Sequence, residues 1–380
     1  MTRTVLFVHS SNEMFGADRI LLQVIESLAG RPDLRAEVWL PDDVEAAADS
    51  VEAHLRAAGI AVRVLPLPVL RRRELTIARL PGLAARALRF WGRVVRTRPV
   101  AVYCATSALL IAAPLARVAC VRTVILHNQE IWSGGEARIL GLLAGWCTHA
   151  IAISESARAS LLGRVRTRSR TIMNAVPDVL QPAPRPIPPG ERPLRFLIAS
   201  RWNAWKGHGT LLEAWEKLGA AAGRLVIVGS PPEVGIGVDV PAMVARLSHP
   251  DTVDVVGQVA GITEHLDRAD VLLVPSDDPE PFGLVAVEAF SRYRPVIASD
   301  AGGVTEIVTS GRNGLLFPPR DADALAELLR TLTVERAAEL GRAGRSDYEA
   351  HYSVPRYLAE FARFWAEVIP VPTQSRRYSA

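Results

Sequence analysis

Short continuous runs of apolar, often β-branched residues recur along the chain, each followed by a longer stretch whose apolar positions have helical spacing. In the first half they fall at 5–8, 37–40, 62–65, 100–104, 124–126 and 150–153. Alternation of this kind predicts βαβ units, with a parallel sheet covered by helices on both faces. A proline-rich connector at 177–193, carrying Pro182, Pro184, Pro186, Pro188 and Pro189, interrupts it. Extended, semi-rigid chain of that type separates domains. The alternation restarts at 194–199, 225–228, 253–256, 271–274 and 296–299. The expected class is therefore α/β, with two Rossmann-like doubly wound domains facing each other across a cleft. Ligands in such sheets bind at the carboxyl ends of the strands, which puts the expected site in that cleft. The expected boundaries are 1–180, a linker at 181–193, and 194–353. A C-terminal helix at about 354–370 is expected to pack back on the first domain.

Composition supports two packed cores. The 380 residues are 49% hydrophobic and 22% charged, too apolar for long disorder and too long for one core. Three cysteines, Cys104, Cys120 and Cys147, have neither disulfide-framework nor zinc spacing, which suits a reducing cytoplasm. No signal-peptide core follows the N-terminus and no run is long enough for a membrane span. The net charge of +4 conceals arginine enrichment before residue 100, which suggests an anionic surface or ligand near the first domain.

The most informative segment runs from Val274 through Pro275, Glu280, Phe282, Gly283 and Leu284 to Glu288. A strand ends, a proline-marked loop carries Glu280, and Gly283 opens a helix bearing Glu288. Backbone N–H groups of Phe282, Gly283 and Leu284 at that helix start suit an anionic or polyhydroxyl ligand. Two carboxylates eight positions apart can accept hydrogen bonds from two sets of sugar hydroxyls. The plainer alternative makes Glu280 a cap and Glu288 a solvated face residue. Arg201 and Lys206, five apart after a predicted strand, can converge on two phosphates and meet the charge of a departing diphosphate without a metal.

The segment from Glu280 to Glu288 resembles the E-x7-E motif of glycosyltransferase family 4, a retaining family with the GT-B fold. Ala301-Gly302-Gly303, the stretch Asn313 to Phe317, and Arg201 to Gly207 also resemble that family's loops. The resemblance implies a metal-independent retaining transferase moving a sugar from a nucleotide diphosphate sugar to an acceptor hydroxyl, with no cofactor, in cell-surface polysaccharide or glycolipid assembly. It implies that Glu288 binds ribose, that Glu280 and the N–H groups behind it hold the donor sugar, and that Gly302 and Gly303 let backbone approach the diphosphate. His127 matches the family's strand-end histidine near the reacting sugar. In the first domain Gly16 would let backbone approach a phosphate or acceptor, with a helix from about Arg19. Phe15 and Asp18 depart from the family's Gly-Gly-x-Glu turn, which leaves Asp18 without an assigned role.

Asp321-Ala-Asp323 spells a metal motif of another fold but begins a helix, where acids satisfy free N–H groups. An epimerase of the same shape or a non-catalytic carbohydrate-binding relative would share the fold. A dinucleotide-dependent dehydrogenase needs a glycine fingerprint, and Gly235-Ile-Gly237 lacks the third glycine. Nucleic-acid binding is not expected, because the basic stretch lacks interleaved stacking aromatics. That stretch begins with Arg71, Arg72 and Arg73, is broken at Pro81-Gly82, and continues as a helix placing Arg86, Arg89, Arg93 and Arg96 on one stripe. Leu83, Leu88, Phe90, Trp91, Val94 and Val95 lie off it. The helix is either packed with a solvated basic face or sits peripherally on an anionic cytoplasmic membrane surface, with Trp91 at the boundary and a lipid-linked acceptor close by.

Overall fold

The computed structural model describes residues 2–44, 49–71, 79–221, 223–232 and 236–371, so Arg72, Arg73 and Gly235 lie outside the described residues. The chain forms two compact units, Met1–Met173 with Pro355–Ala380, and Asn174–Val354.

The first unit holds a seven-stranded parallel sheet in the order β3-β2-β1-β4-β5-β6-β7. Its strands are β1 Arg3–Val8, β2 Leu34–Pro41, β3 Ala61–Leu65, β4 Ala101–Cys104, β5 Thr123–Asn128, β6 His149–Ala152 and β7 Ser169–Thr171. Val5 to Val8 are all fully buried, as the continuous apolar run requires of a central strand. Leu6 and Val8 face a core containing Trp39, Phe90 and Val94. Phe7 faces the opposite way, its ring 6.1 Å from that of Trp365 on the helix Val354–Val368. Burying a side chain of this size stabilises by about 1.5–3 kcal/mol. Trp365 also donates through Nε1 to Ser27 Oγ at 2.8 Å, so the ring is buried with its polar atom satisfied.

The second unit holds a six-stranded parallel sheet in the order β10-β9-β8-β11-β12-β13. Its strands are β8 Arg195–Ala199, β9 Arg224–Val228, β10 Val253–Gly257, β11 Val271–Val274, β12 Val296–Ser299 and β13 Gly314–Phe317. The helix His208–Leu218 lays Trp215 against Phe196 of β8 at 5.7 Å, and Trp215 Nε1 donates to Thr252 Oγ1 at 2.9 Å. In both sheets the strand order reverses beside the first strand, between β1 and β4 and between β8 and β11. Such reversals open the crevices in which doubly wound sheets bind ligands.

Three local features differ from the sequence expectation. The proline-rich connector lies within the second unit and is strapped to it. Arg345 holds Asp178 through two nitrogens at 2.9 and 2.6 Å, Arg292 donates to the carbonyls of Val179 and Pro182, and Arg294 donates to that of Arg185. The basic helix spans Leu80–Thr97 and is not broken at Pro81-Gly82, because Pro81 sits in the first turn, where a missing N–H costs no helical hydrogen bond. The helix after β1 spans Gly16–Glu26 and begins three residues before Arg19. Asp18 is the reason: its Oδ2 accepts from Phe15 N at 2.9 Å, closing the capping turn.

Candidate functional site

Loops leaving three adjacent strands of the second sheet, β8, β11 and β12, interlock at its carboxyl edge. The loop after β8 carries Lys206, whose Nζ lies 2.5 Å from Glu280 Oε1 on the loop after β11. Ser276 Oγ donates to the same oxygen at 2.8 Å. Glu280 is 5% exposed, and a cation and a hydroxyl make there the contacts that water makes at a surface carboxylate. Lys206 Nζ also lies over the Trp205 ring at 4.1 Å. Trp205 O accepts from Asp277 N at 2.8 Å, and Asp277 Oδ1 accepts from Thr210 Oγ1 at 2.7 Å. The sequence reading gave Lys206 to phosphate and Glu280 to sugar; the structure adds that the two hold each other.

Glycine makes the interlock possible. A Cβ on Gly207, at φ +72°, would lie 1.7 Å from the carbonyl oxygen of Pro275. Gly302 pairs with Glu280 as a parallel bridge and Gly303 N donates to Glu280 O at 2.6 Å. A Cβ on Gly302 would lie 2.3 Å from Glu280 O, and one on Gly303 would lie 2.3 Å from Pro281 O. Beside the close approach expected toward a diphosphate, the structure gives a second reason for glycine at both positions, the approach of the Glu280 loop.

The remaining predicted residues of this unit surround the interlock. Arg201 follows β8 and is exposed. Gly283, at φ +96°, precedes the helix Leu284–Ser291, in which Leu284 is first and Glu288 is half-buried in the second turn. Phe282 is buried, its ring 6.4 Å from that of Tyr352, so it anchors the loop. His208, next to Gly207, escaped the sequence reading: it is 1% exposed, and burial, with Lys206 nearby, pushes its pKa down to about 4. Asp321 caps the helix Ala322–Thr331 by accepting from Ala324 N, and Asp323 accepts from Lys217 Nζ at 2.7 Å.

In the first unit Asp18 acquires a second partner, His9, whose Nε2 lies 2.6 Å from Asp18 Oδ1 with both side chains buried. Gly16 is the first residue of the helix that Asp18 caps. His127 lies on β5, its Nδ1 2.8 Å from Tyr103 Oη, and burial pushes its pKa down to about 3. Sequence reading missed His9, although a histidine directly after a strand and an acid in the first turn of the next helix were both visible. On the helix Leu80–Thr97, Arg89 and Arg96 are exposed, and Arg86 and Arg93 are partly buried. The apolar side splits: Leu83, Phe90 and Val94 are buried, Leu88 and Val95 are exposed, and Trp91 is only partly exposed. Arg71 is engaged with Asp43 and the carbonyl of Ser10. No helix among the described residues is long and apolar enough to cross a membrane.

Comparison with known proteins bears on these loops directly. Residues 193–334 match the family model for glycosyl transferases group 1. An exopolysaccharide phosphotransferase of Streptomyces coelicolor is 28% identical over 294 residues, 73% of this chain and 29% of that protein. A GDP-mannose-dependent alpha-(1-6)-phosphatidylinositol monomannoside mannosyltransferase of Mycobacterium tuberculosis is 32% identical over 194 residues, 46% of this chain and 48% of that protein. The chain thus spans less than half the length of either relative. The crystal structure of Anabaena HepE in complex with UDP-glucose superposes with a TM-score of 0.77 at 21% identity, covering 96% of this chain and all of that one. The chain has the two-sheet GT-B fold of glycosyltransferases, and the stretch similar to the glycosyl transferases group 1 model lies within its second unit.

Proposed function

We propose that the chain transfers a sugar from a nucleoside diphosphate sugar to an acceptor hydroxyl, with retention of anomeric configuration and without a metal. The observation that carries this reading is the Lys206–Glu280–Ser276 cluster, built where loops of three neighbouring strands meet at the carboxyl edge of the second sheet. The departing diphosphate develops negative charge, and Lys206 with Arg201 supplies fixed cations to meet it. Glu280, fixed by Ser276, retains acceptor capacity for hydroxyls of the donor sugar, and Glu288 on the following helix takes the ribose hydroxyls. The phosphate leaving group, rather than a carboxylate nucleophile, receives the acceptor proton. A relative named for its use of GDP-mannose and a fold neighbour holding UDP-glucose support the donor class.

Incubation with UDP-glucose or GDP-mannose and a free or polyprenyl-diphosphate-linked sugar acceptor is expected to release nucleoside diphosphate, equally with and without EDTA, and NMR of the product to show the donor's anomeric configuration. Release of nucleoside monophosphate would instead indicate phosphosugar transfer, in line with the name of the Streptomyces relative. A strict metal requirement would return attention to Asp321 and Asp323. The acceptor is a glycan or lipid-linked glycan of the cell surface, and the enzyme works in the cytoplasm, peripherally on anionic lipid through Arg86, Arg89, Arg93 and Arg96. Exposed Leu88 and Val95, rather than Trp91, are the apolar residues able to enter the boundary. Sedimentation with phosphatidylglycerol vesicles is expected to fall with salt and with the four arginines changed to Glu.

A further inference from the structure

Of the 44 lysines and arginines in the chain only two are lysines, Lys206 and Lys217. Lys217 joins Glu213 and Asp323 at the surface. Beside Glu280, therefore, a chain that otherwise uses the guanidinium places an ammonium. The two cations differ in what they can hold. A guanidinium is a planar fork that closes on a carboxylate with two parallel bonds, whereas an ammonium is a point charge with three N–H bonds spread tetrahedrally. Glu280 Oε1, 2.5 Å from Lys206 Nζ, takes one of them. The Trp205 ring, its centroid 4.1 Å from Nζ, faces another. That leaves one N–H, and the side chain is 20% exposed, so an anion can reach it from outside.

The backbone alone does not produce this arrangement. Trp205 and Lys206 are consecutive on the short 3₁₀ turn Ala204–Lys206, where neighbouring side chains point apart. The lysine stem turns back over the preceding ring and gives up rotamer freedom that it would keep in water. The tryptophan is the fixed partner. Trp205 O accepts from Asp277 N at 2.8 Å, Ala204 N donates to Ile236 O at 2.9 Å, and Lys206 N donates to Asn203 O at 3.0 Å. Indole has the most attractive ring face for a cation among the aromatic side chains.

We propose that Trp205 is a positioning residue for the donor's diphosphate: its ring holds the Lys206 ammonium beside Glu280 with one N–H kept open, and that N–H takes a phosphate oxygen. The diphosphate rests on the glycosyl-transfer reading; the hold of the ring on the ammonium does not. Glu280 keeps a second donor in Ser276 Oγ, 2.8 Å away, so loss of the ring loosens Lys206 without stripping the carboxylate.

The test uses the full chain with tryptophan analogues of rising ring fluorination incorporated at position 205 alone. Fluorine withdraws charge from the ring face at nearly constant shape. Kd for UDP or GDP is therefore expected to rise stepwise along the series, to about tenfold at full fluorination, with Tm unchanged. A flat series makes the ring a spacer and overturns the proposal. With two lysines in the chain, 13C-lysine labelling yields two sets of Hε signals, told apart by Lys217→Arg. Those of Lys206, above the indole face, are expected upfield of Lys217 in wild type and at the ordinary position in Trp205→Leu. Coincident signals in wild type overturn the hold of the ring on the ammonium. If wild type binds neither UDP nor GDP, the glycosyl-transfer reading fails and pyrophosphate is the probe. A Lys206 signal that pyrophosphate moves in wild type and not in Trp205→Leu then supports an anion held through the ring; equal movement in both, or none, overturns it.

Discussion

At Lys206 and Glu280 one contact serves two ends, and the substitutions that separate them follow from burial. Removing either partner strands the other in a site with little water, a loss of about 3–5 kcal/mol for a fully buried pair. Lys206 is one-fifth exposed, so about 1–3 kcal/mol is expected for Lys206→Ala or Glu280→Ala, with the double variant less unstable than the sum. Arg201→Ala, at an exposed position, is expected to lower turnover by about a hundredfold with Tm near wild type. Urea unfolding alongside nucleoside diphosphate release checks all four; additive single effects would mean that the two charges do not support each other. The residue types were legible in the sequence: Arg201, Lys206, Glu280 and Glu288 stood out by spacing and resemblance. Their pairing was not, because Lys206 and Glu280 are 74 positions apart and only the fold brings their loops together. His9 was missed for a related reason, since a single histidine gains meaning only when Asp18 turns back on it.

At the scale of elements, the recurring device is a loop held by backbone that passes too close for a side chain. Gly302→Ala would have to move the Glu280 carbonyl and hold an L-residue at φ +77°. A loss of about 1–3 kcal/mol, together with loss of donor binding, is expected; calorimetry with and without UDP reads both, and a variant that binds UDP as well as wild type would show that the loop tolerates the shift. The connector strap makes a comparable claim. Arg345→Ala removes two hydrogen bonds to Asp178 and one to the carbonyl of Ser291, so native-state proteolysis is expected to begin nearer 178–190 and to proceed faster. Unchanged cleavage sites would show that Arg292 and Arg294 suffice. Elements with long apolar runs were legible as strands. β7 was not, because three half-buried residues at a sheet edge carry no run at all. Nor were two helix starts: Pro81-Gly82 reads as a break until it is seen in a first turn, and Asp18 reads as a mid-turn acid until its carboxylate closes the cap.

For the molecule as a whole, the alternation of runs revealed two parallel sheets, whereas burial of single polar groups could not be seen from pattern. Each unit buries a neutral histidine, and that has a consequence for acid stability. The folded pKa of His127 is depressed to about 3 and that of His208 to about 4. Both lie below the ordinary value of about 6.5 for an unfolded chain. As pH falls through about 6.5, the unfolded chain takes up protons that the folded one refuses, so stability is lost progressively down to about 4 for His208 and about 3 for His127. At pH 5 each contributes a loss of about 2 kcal/mol. Carboxylates whose pKa is depressed, such as Asp33 beside Arg31 and Arg3, lose their contribution only below about pH 4, so they leave the window from 5 to 6.5 to the histidines. Urea unfolding at pH 7.5 and pH 5 is expected to show the drop in wild type. His127→Asn is expected to flatten it in the transition of the first unit, and His208→Leu in that of the second. Should both variants keep the full wild-type slope, the two rings are hydrated or paired in solution and the depressed values do not hold.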